Sequence, residues 1–174
     1  MDYHIEELIS EEKIEKRIAE LAKQLDEEYA GKEIHLVVIL KGSVFFACEL
    51  AKRLTVPVTL DFMAVSSYGD GMVSAGEITV KKELDEDIAD KEVLIVEDIL
   101  DSGVTLYNLK ILLAARNPKS LKIITLLDKK ENHEAGIKAD YVGFDIPNKF
   151  VVGYGLDYAQ KHRNLPYVGV VIPD

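Results

Sequence analysis

Three apolar runs frame this chain. Residues 34–40 (IHLVVIL), 93–96 (VLIV) and 121–127 (LKIITLL) are apolar at successive rather than alternate positions. That is the pattern of strands covered on both faces of a parallel sheet. Helical periodicity fills the gaps. Ile14, Ile18, Leu21, Ala22 and Leu25 mark one helical face, with Ser10 as N-cap, Glu11 and Glu12 in the first turn and an end near Gly31. A tight turn, Lys41-Gly42-Ser43, leads into a second helix over 44–54. Thr105 opens a third, with Leu106, Leu109, Leu112 and Leu113 inward, reaching about Ala115. Further strands are predicted at 56–65, 77–84, 139–146, 150–154 and 167–172. Strands alternating with helices predict an α/β fold on a mainly parallel sheet. The C-terminal third is rich in Tyr, Gly and Asp and poor in helical pattern, and reads as a hood on that sheet. There is no repeat, low-complexity tract or linker, so residues 1–174 are expected to form a single domain.

Candidate chemistry concentrates in residues 93–106, VLIVEDILDSGVTL. The apolar strand is expected to end in Glu97 and Asp98, followed by a loop over 99–104 that carries Asp101 and Ser102-Gly103. Amides at a helix start bind phosphate, and acids just before them bind hydroxyls or a metal. Ligands of open α/β sheets sit at the carboxyl ends of the strands. The turns 41–43, 97–105 and 128–130 all follow apolar strands and are expected to converge on one cleft. Residues 66–76 (SSYGDGMVSAG) are small, polar and glycine-rich, and read as a mobile loop.

This layout resembles the motif with which type I phosphoribosyltransferases bind 5-phosphoribosyl pyrophosphate (PRPP). The resemblance implies that Glu97 and Asp98 face the ribose hydroxyls, while Ser102, Gly103, Val104 and Thr105 wrap the 5′-phosphate. It extends over residues 36–171, with the motifs in the family's order. Leu40-Lys41-Gly42 resembles the pyrophosphate turn of the hypoxanthine-guanine branch, which implies pyrophosphate contacts from Lys41 and Gly42 and a non-proline cis peptide there. Ser67 and Tyr68 match the Ser-Tyr pair of the family's flexible catalytic loop. Lys129 matches a lysine that donates to the purine O6. A cation at that place selects an oxo group over the amino group of adenine. FVVGYGLDY, residues 150–158, resembles the base- and metal-binding stretch. It implies that Phe150 stacks on the purine, that Val151 offers its backbone to the ring edge, and that Asp157 serves both purine and Mg²⁺. Arg163 matches an arginine that contacts pyrophosphate. Position 104 is Val where some members carry Lys, so that side-chain contact is missing here.

The resemblance implies the type I phosphoribosyltransferase fold, a central, mainly parallel twisted sheet flanked by helices with a small C-terminal hood. It implies purine salvage: 5-phosphoribosyl passes from PRPP to N9 of hypoxanthine, guanine or both, giving IMP or GMP and pyrophosphate. Asp101 is the candidate acid or base at the purine N7, and Asp157, Glu97 and Asp98 are candidate Mg²⁺ ligands. Two alternatives stand beside this: a non-catalytic PRPP-sensing regulator on the same fold, and a xanthine-preferring enzyme. Lys129 and residues 150–157 argue for the purine enzyme over the regulator.

Composition narrows the partners. The 174 residues are 48% hydrophobic and 30% charged, with a formal net charge of −10. That balance disfavours nucleic acid, which wants a basic footprint. No apolar run reaches the roughly 18 residues of a membrane span. The opening residues MDYHIEELIS are acidic, lack the apolar core of a secretory signal and carry no assigned element. The single cysteine, Cys48, lies in the apolar run 44–50 and is expected to be a buried small hydrophobe. A cytoplasmic setting is expected. A homo-oligomer, dimer or tetramer, is common in the family.

Overall fold

Ser10 turns the chain into its first helix. Its side chain accepts a hydrogen bond from the Lys13 amide at 3.3 Å, satisfying one of the donors a helix start leaves open. The helix, α1 (Glu11–Glu28), buries Ile14, Ile18, Leu21, Ala22 and Leu25 along one stripe. The structure is a computed structural model and describes residues 2–67 and 78–174. After α1 come β2 (Ile34–Ile39), α2 (Ser43–Arg53), β3 (Val58–Ser67) and β4 (Ile78–Lys82). Then follow β5 (Glu92–Leu100), α3 (Val104–Ala114), β6 (Ser120–Asp128), a 3-10 turn (Lys130–Asn132) and β7 (Tyr141–Asp145). A strand β1 (Tyr3–Ile9) precedes α1, and β8 (Val151–Val152) and β9 (Val168–Pro173) close the chain.

Six strands form the main sheet, in the order β4-β3-β2-β5-β6-β7. Every pairing is parallel except β3 with β4. The two faces bury separate apolar cores. Leu36, Val38, Leu94 and Val96 pack beneath α1 and α2. Val37, Val93 and Ile95 pack against Leu106, Leu109 and Leu113 of α3. Adjacent strand residues therefore go to opposite cores, which is why β2 and β5 read as unbroken apolar runs.

The hood is a three-stranded antiparallel sheet, β1-β9-β8. Its outer strand comes from the other end of the chain: Tyr3 pairs with Pro173 and Ile5 with Val171. The C-terminal third thus supplies two of its three strands, and β8 is only Val151–Val152.

Three local expectations are corrected. β5 does not stop at the acids but runs through Glu97 and Asp98 to Leu100, still paired with β6. The loop that follows is correspondingly short, and α3 opens at Val104 behind Gly103. Cys48 is exposed. The helical period of α2 turns Ser43, Phe46, Ala47 and Leu50 inward and leaves Phe45 and Cys48 outside.

Candidate active site

The carboxyl ends of β2, β5 and β6 lie side by side, and the turns after them meet. The tightest contact is between the first two. A Cβ built on Gly42 would stand 1.8 Å from Asp98 Oδ2, and one built on Gly155 would stand 1.9 Å from the Gly42 carbonyl oxygen. The sheet and the hood loop touch here through atoms that leave no room for a side chain. The peptide bond between Leu40 and Lys41 is cis, so the cis bond of this turn precedes Lys41.

A network of donors holds the hood loop over that contact. Arg163 donates to the Gly155 carbonyl at 2.7 Å and to Gln160 Oε1 at 3.2 Å, and pairs with Asp157 Oδ1 at 3.0 Å. Lys41 donates to the same Gln160 oxygen at 3.4 Å. The Gln160 amide donates to Asp157 Oδ2 at 2.8 Å. Lys41, Gly42, Asp98, Asp157 and Arg163 are thus brought together, two cations with two acids.

Glu97 and Asp98 are successive residues near the end of β5, and their charges act on one another. Asp98 goes to the side of Gly42. Burial drives both acids toward the neutral form. It raises Glu97 well above the ordinary range, and the Asp98 charge adds to the effect. Asp98 is pushed up to about 6, chiefly by burial, against the pull of the Ile99 amide and the Arg163 charge.

The short loop after β5 is built for close approach. Gly103 has φ +80°, and a Cβ there would stand 2.5 Å from Ile137 Cγ2, so no larger residue fits. The Ser102 carbonyl accepts from the Glu134 amide at 2.9 Å, and Ser102 Oγ accepts from the Val104 amide at 3.4 Å. Thr105 lies in the first turn of α3, so the loop ends at the positive pole of that helix. This is an anion-binding geometry.

A second cluster stands at the end of β6. Lys129 is only 6% exposed, and its Nζ lies 3.5 Å from Asp101 Oδ2. The Lys129 amide donates to the Leu100 carbonyl at 2.9 Å, which ties this turn to β5. Phe150 is 53% exposed, whereas Val151 is 5% exposed. The phenyl ring is therefore free to stack on a ligand, while the Val151 side chain is core and only its backbone is available. Phe150 meets Tyr158 edge-to-face at 5.4 Å. Tyr158 meets Tyr3 in the same way at 5.3 Å, and the Tyr3 hydroxyl bonds His162 Nε2 at 2.7 Å.

Ser67 is the last residue of β3; Tyr68 lies outside the described residues. Sequence reasoning missed Asn132, Gln160, Tyr158 and Tyr3. None sits in an apolar period or a glycine turn that would have drawn notice. Tyr158 does stand directly after Asp157 in the motif stretch, and an aromatic there was a usable signal.

Among the described residues, no group of three or more His, Cys, Asp or Glu side chains converges to hold a metal. Mg²⁺ is commonly held by one or two carboxylates and completed by water and phosphate oxygens. Asp98 and Asp157 fit that partial role, with the rest of the shell left to substrate. No helix among the described residues is long and apolar enough to cross a membrane.

An α/β sheet with acids ending its central strand, a glycine-capped helix start beside them and a basic hood loop above is the build of an enzyme for phosphorylated sugars. Residues 4–159 match the phosphoribosyl transferase domain family. The chain belongs to the phosphoribosyltransferase family. It is 50% identical to the hypoxanthine phosphoribosyltransferase of Salmonella typhimurium over 174 residues, 99% of this chain and 98% of that protein. It superposes on a hypoxanthine-guanine phosphoribosyltransferase from Bacillus anthracis with a TM-score of 0.93 and 42% identity, covering 99% of this chain and 100% of that one. A Staphylococcus aureus hypoxanthine phosphoribosyltransferase gives a TM-score of 0.93 with 49% identity, over 97% of this chain and 91% of that one.

Proposed function

We infer that this chain is a purine-salvage transferase, one domain over residues 1–174, that moves 5-phosphoribosyl from PRPP to N9 of hypoxanthine, guanine or both. One observation carries the reading. Lys129 and Asp101 lie 3.5 Å apart, a cation and a carboxylate side by side, as recognition of the neighbouring O6 and N7 of a 6-oxopurine requires. In the reaction the N9–C1′ bond forms while the bond from C1′ to the pyrophosphate oxygen breaks. The proton on N7 passes to the Asp101 carboxylate. Lys129 donates to O6. Glu97 and Asp98 orient the ribose hydroxyls and suit the positive charge that develops on the ring.

Ser102, Gly103, Val104 and Thr105 take the 5′-phosphate. Lys41, Gly42 and Arg163 take the pyrophosphate, which answers the repulsion expected between a chain of net charge −10 and a polyphosphate. Bound Mg²⁺ supplies charge neutralisation for the leaving pyrophosphate, with Asp157, Glu97 and Asp98 as its candidate protein ligands. Ser67 and Tyr68 belong to the loop that would exclude water. The protein acts in the cytoplasm as a homo-oligomer, with no nucleic-acid or membrane partner.

The test is nucleotide formation from PRPP and Mg²⁺ with hypoxanthine, guanine, xanthine and adenine in parallel. Turnover of hypoxanthine or guanine that EDTA abolishes is expected. PRPP binding without turnover of any base would overturn the enzyme reading in favour of a sensor.

A further inference from the structure

Asn132 belongs to no motif, yet it holds two walls of the purine site. It lies in the 3-10 turn after β6. Its Nδ2 donates to Asp101 Oδ1 at 2.7 Å and to Asn148 Oδ1 at 2.9 Å. An ionised carboxylate only accepts, so the atom facing Asp101 is the amide nitrogen, and both of its N–H groups are engaged. The other Asp101 oxygen faces Lys129 Nζ at 3.5 Å, and the Asp101 side chain is 51% exposed. Packing therefore does not fix this carboxylate; a hydrogen bond on one oxygen and an ion pair on the other do. Asn148 in turn stands two positions before Phe150. One amide thus joins the loop after β5 to the segment that presents the aromatic ring.

We propose that Asn132 is a positioning residue for phosphoribosyl transfer, its amide setting the rotamer and plane of the Asp101 carboxylate toward the purine N7. The proposal rests on Asp101 being the base, as argued above. Proton transfer needs a heavy-atom separation near 3 Å. A carboxylate left to wander among rotamers loses that geometry, and a displacement of about 1 Å costs on the order of 100-fold. Binding of PRPP, made by other groups, is untouched.

The experiment is a double-mutant cycle on the full chain, read as kcat and KM for PRPP and hypoxanthine. Asn132→Ala is expected to lower kcat by about 10–100-fold, the range for one hydrogen bond to a charged group, with KM for PRPP held. In an Asp101→Asn background the same change should cost less than about two-fold, the ordinary limit of additivity. Asn132→Asp keeps the shape and sets carboxylate against carboxylate, so it should lose more than Asn132→Ala. It also reports should the alanine variant fold poorly.

A loss of equal size in both backgrounds would reveal a structural role and overturn the proposal, as would full turnover in Asn132→Ala. Wild-type turnover in Asp101→Asn alone, with Asn132 intact, would instead overturn the general-base reading itself.

Discussion

Asp98 Oδ2 rests against the α-carbon of Gly42, so close that a methyl group there would stand 1.8 Å from it. The contact joins the end of β5 to the turn after β2, and Gly155 of the hood loop closes on the same turn from above. A carboxylate that burial has raised to about 6 is therefore covered on one side by backbone with no side chain. The sheet supplies the rigid part of this site, and glycines set how near the hood can come.

Gly42→Ala should damage both fold and function. The added methyl must displace Asp98 or the Gly155 loop, and overpacking of this kind costs about 1–3 kcal/mol. For a chain of this size that is a fall in Tm of roughly 3–10 °C. Calorimetry gives the first figure. Steady-state kinetics should show the KM for PRPP rising more than the KM for hypoxanthine, since the disturbed groups are those assigned to the ribose and pyrophosphate of PRPP. Unchanged melting and kinetics would mean that the turn yields freely.

Lys129→Met keeps the length of a buried side chain and removes its charge. With the O6 donor gone, kcat/KM for hypoxanthine should fall about 10–100-fold, the range for a hydrogen bond to a charged group. Adenine should be discriminated against less strongly. Competition between the two bases measures it directly, and an unaltered preference would assign O6 recognition elsewhere.

The parts of this architecture legible in the sequence are those whose causes are local. β2 and the first half of β5 are continuous apolar runs because both faces are buried. The Ser10 cap and the α1 stripe are spacing signals within one helix. β1 was not legible for two reasons. Tyr3, His4, Ile5 and Glu6 do alternate, but a register shift between Glu7 and Ile9 breaks the period before it is long enough to trust. Its partner, β9, also lies at the far end of the chain. Cys48 was misread because an apolar run inside a helix conceals which members face out. Glu97, Asp98, Asp101 and residues 102–105 stood out through turn chemistry, and Lys129, Phe150, Asp157 and Arg163 only through the family resemblance, whereas Asn132 reaches Asp101 across 31 positions and leaves no local trace.

Phe150→Ala should raise the KM for the purine by roughly 10–100-fold, since base–aromatic stacking is worth about 1–3 kcal/mol. The KM for PRPP should hold. Tyr158→Leu should do the same more weakly, because its ring, in a T-shaped contact with centroids 5.4 Å apart, braces the half-exposed phenyl ring. Isothermal titration with a purine nucleotide measures both. A Tyr158 variant that weakens PRPP instead would show that the ring serves the Asp157–Arg163 loop.

His35 should give the protein a stability slope in mild acid. The ring is 2% exposed. Its Nδ1 bonds Thr59 Oγ1 at 2.7 Å, and Nε2 has no hydrogen-bond partner among the described residues. Asp61 Oδ2 stands 3.9 Å from Nε2, but that carboxylate already accepts the amides of Phe62, Asp85 and Glu86. Burial first, and the Lys91 charge second, hold the imidazole below its ordinary 6.5, against the opposing pull of Asp61, Glu86 and Glu33. Below 6.5 the unfolded chain therefore takes up a proton that the folded chain refuses. Stability tied to neutral His35 is fully present above that pH and drains away as pH falls toward the folded value. One group contributes a slope of at most about 1.4 kcal/mol per pH unit. His35→Asn keeps an amide toward Thr59 and removes the titration. Urea midpoints from pH 7.5 down to 5.5 should fall faster for the wild type than for this variant. Parallel curves would assign the acid sensitivity to other groups.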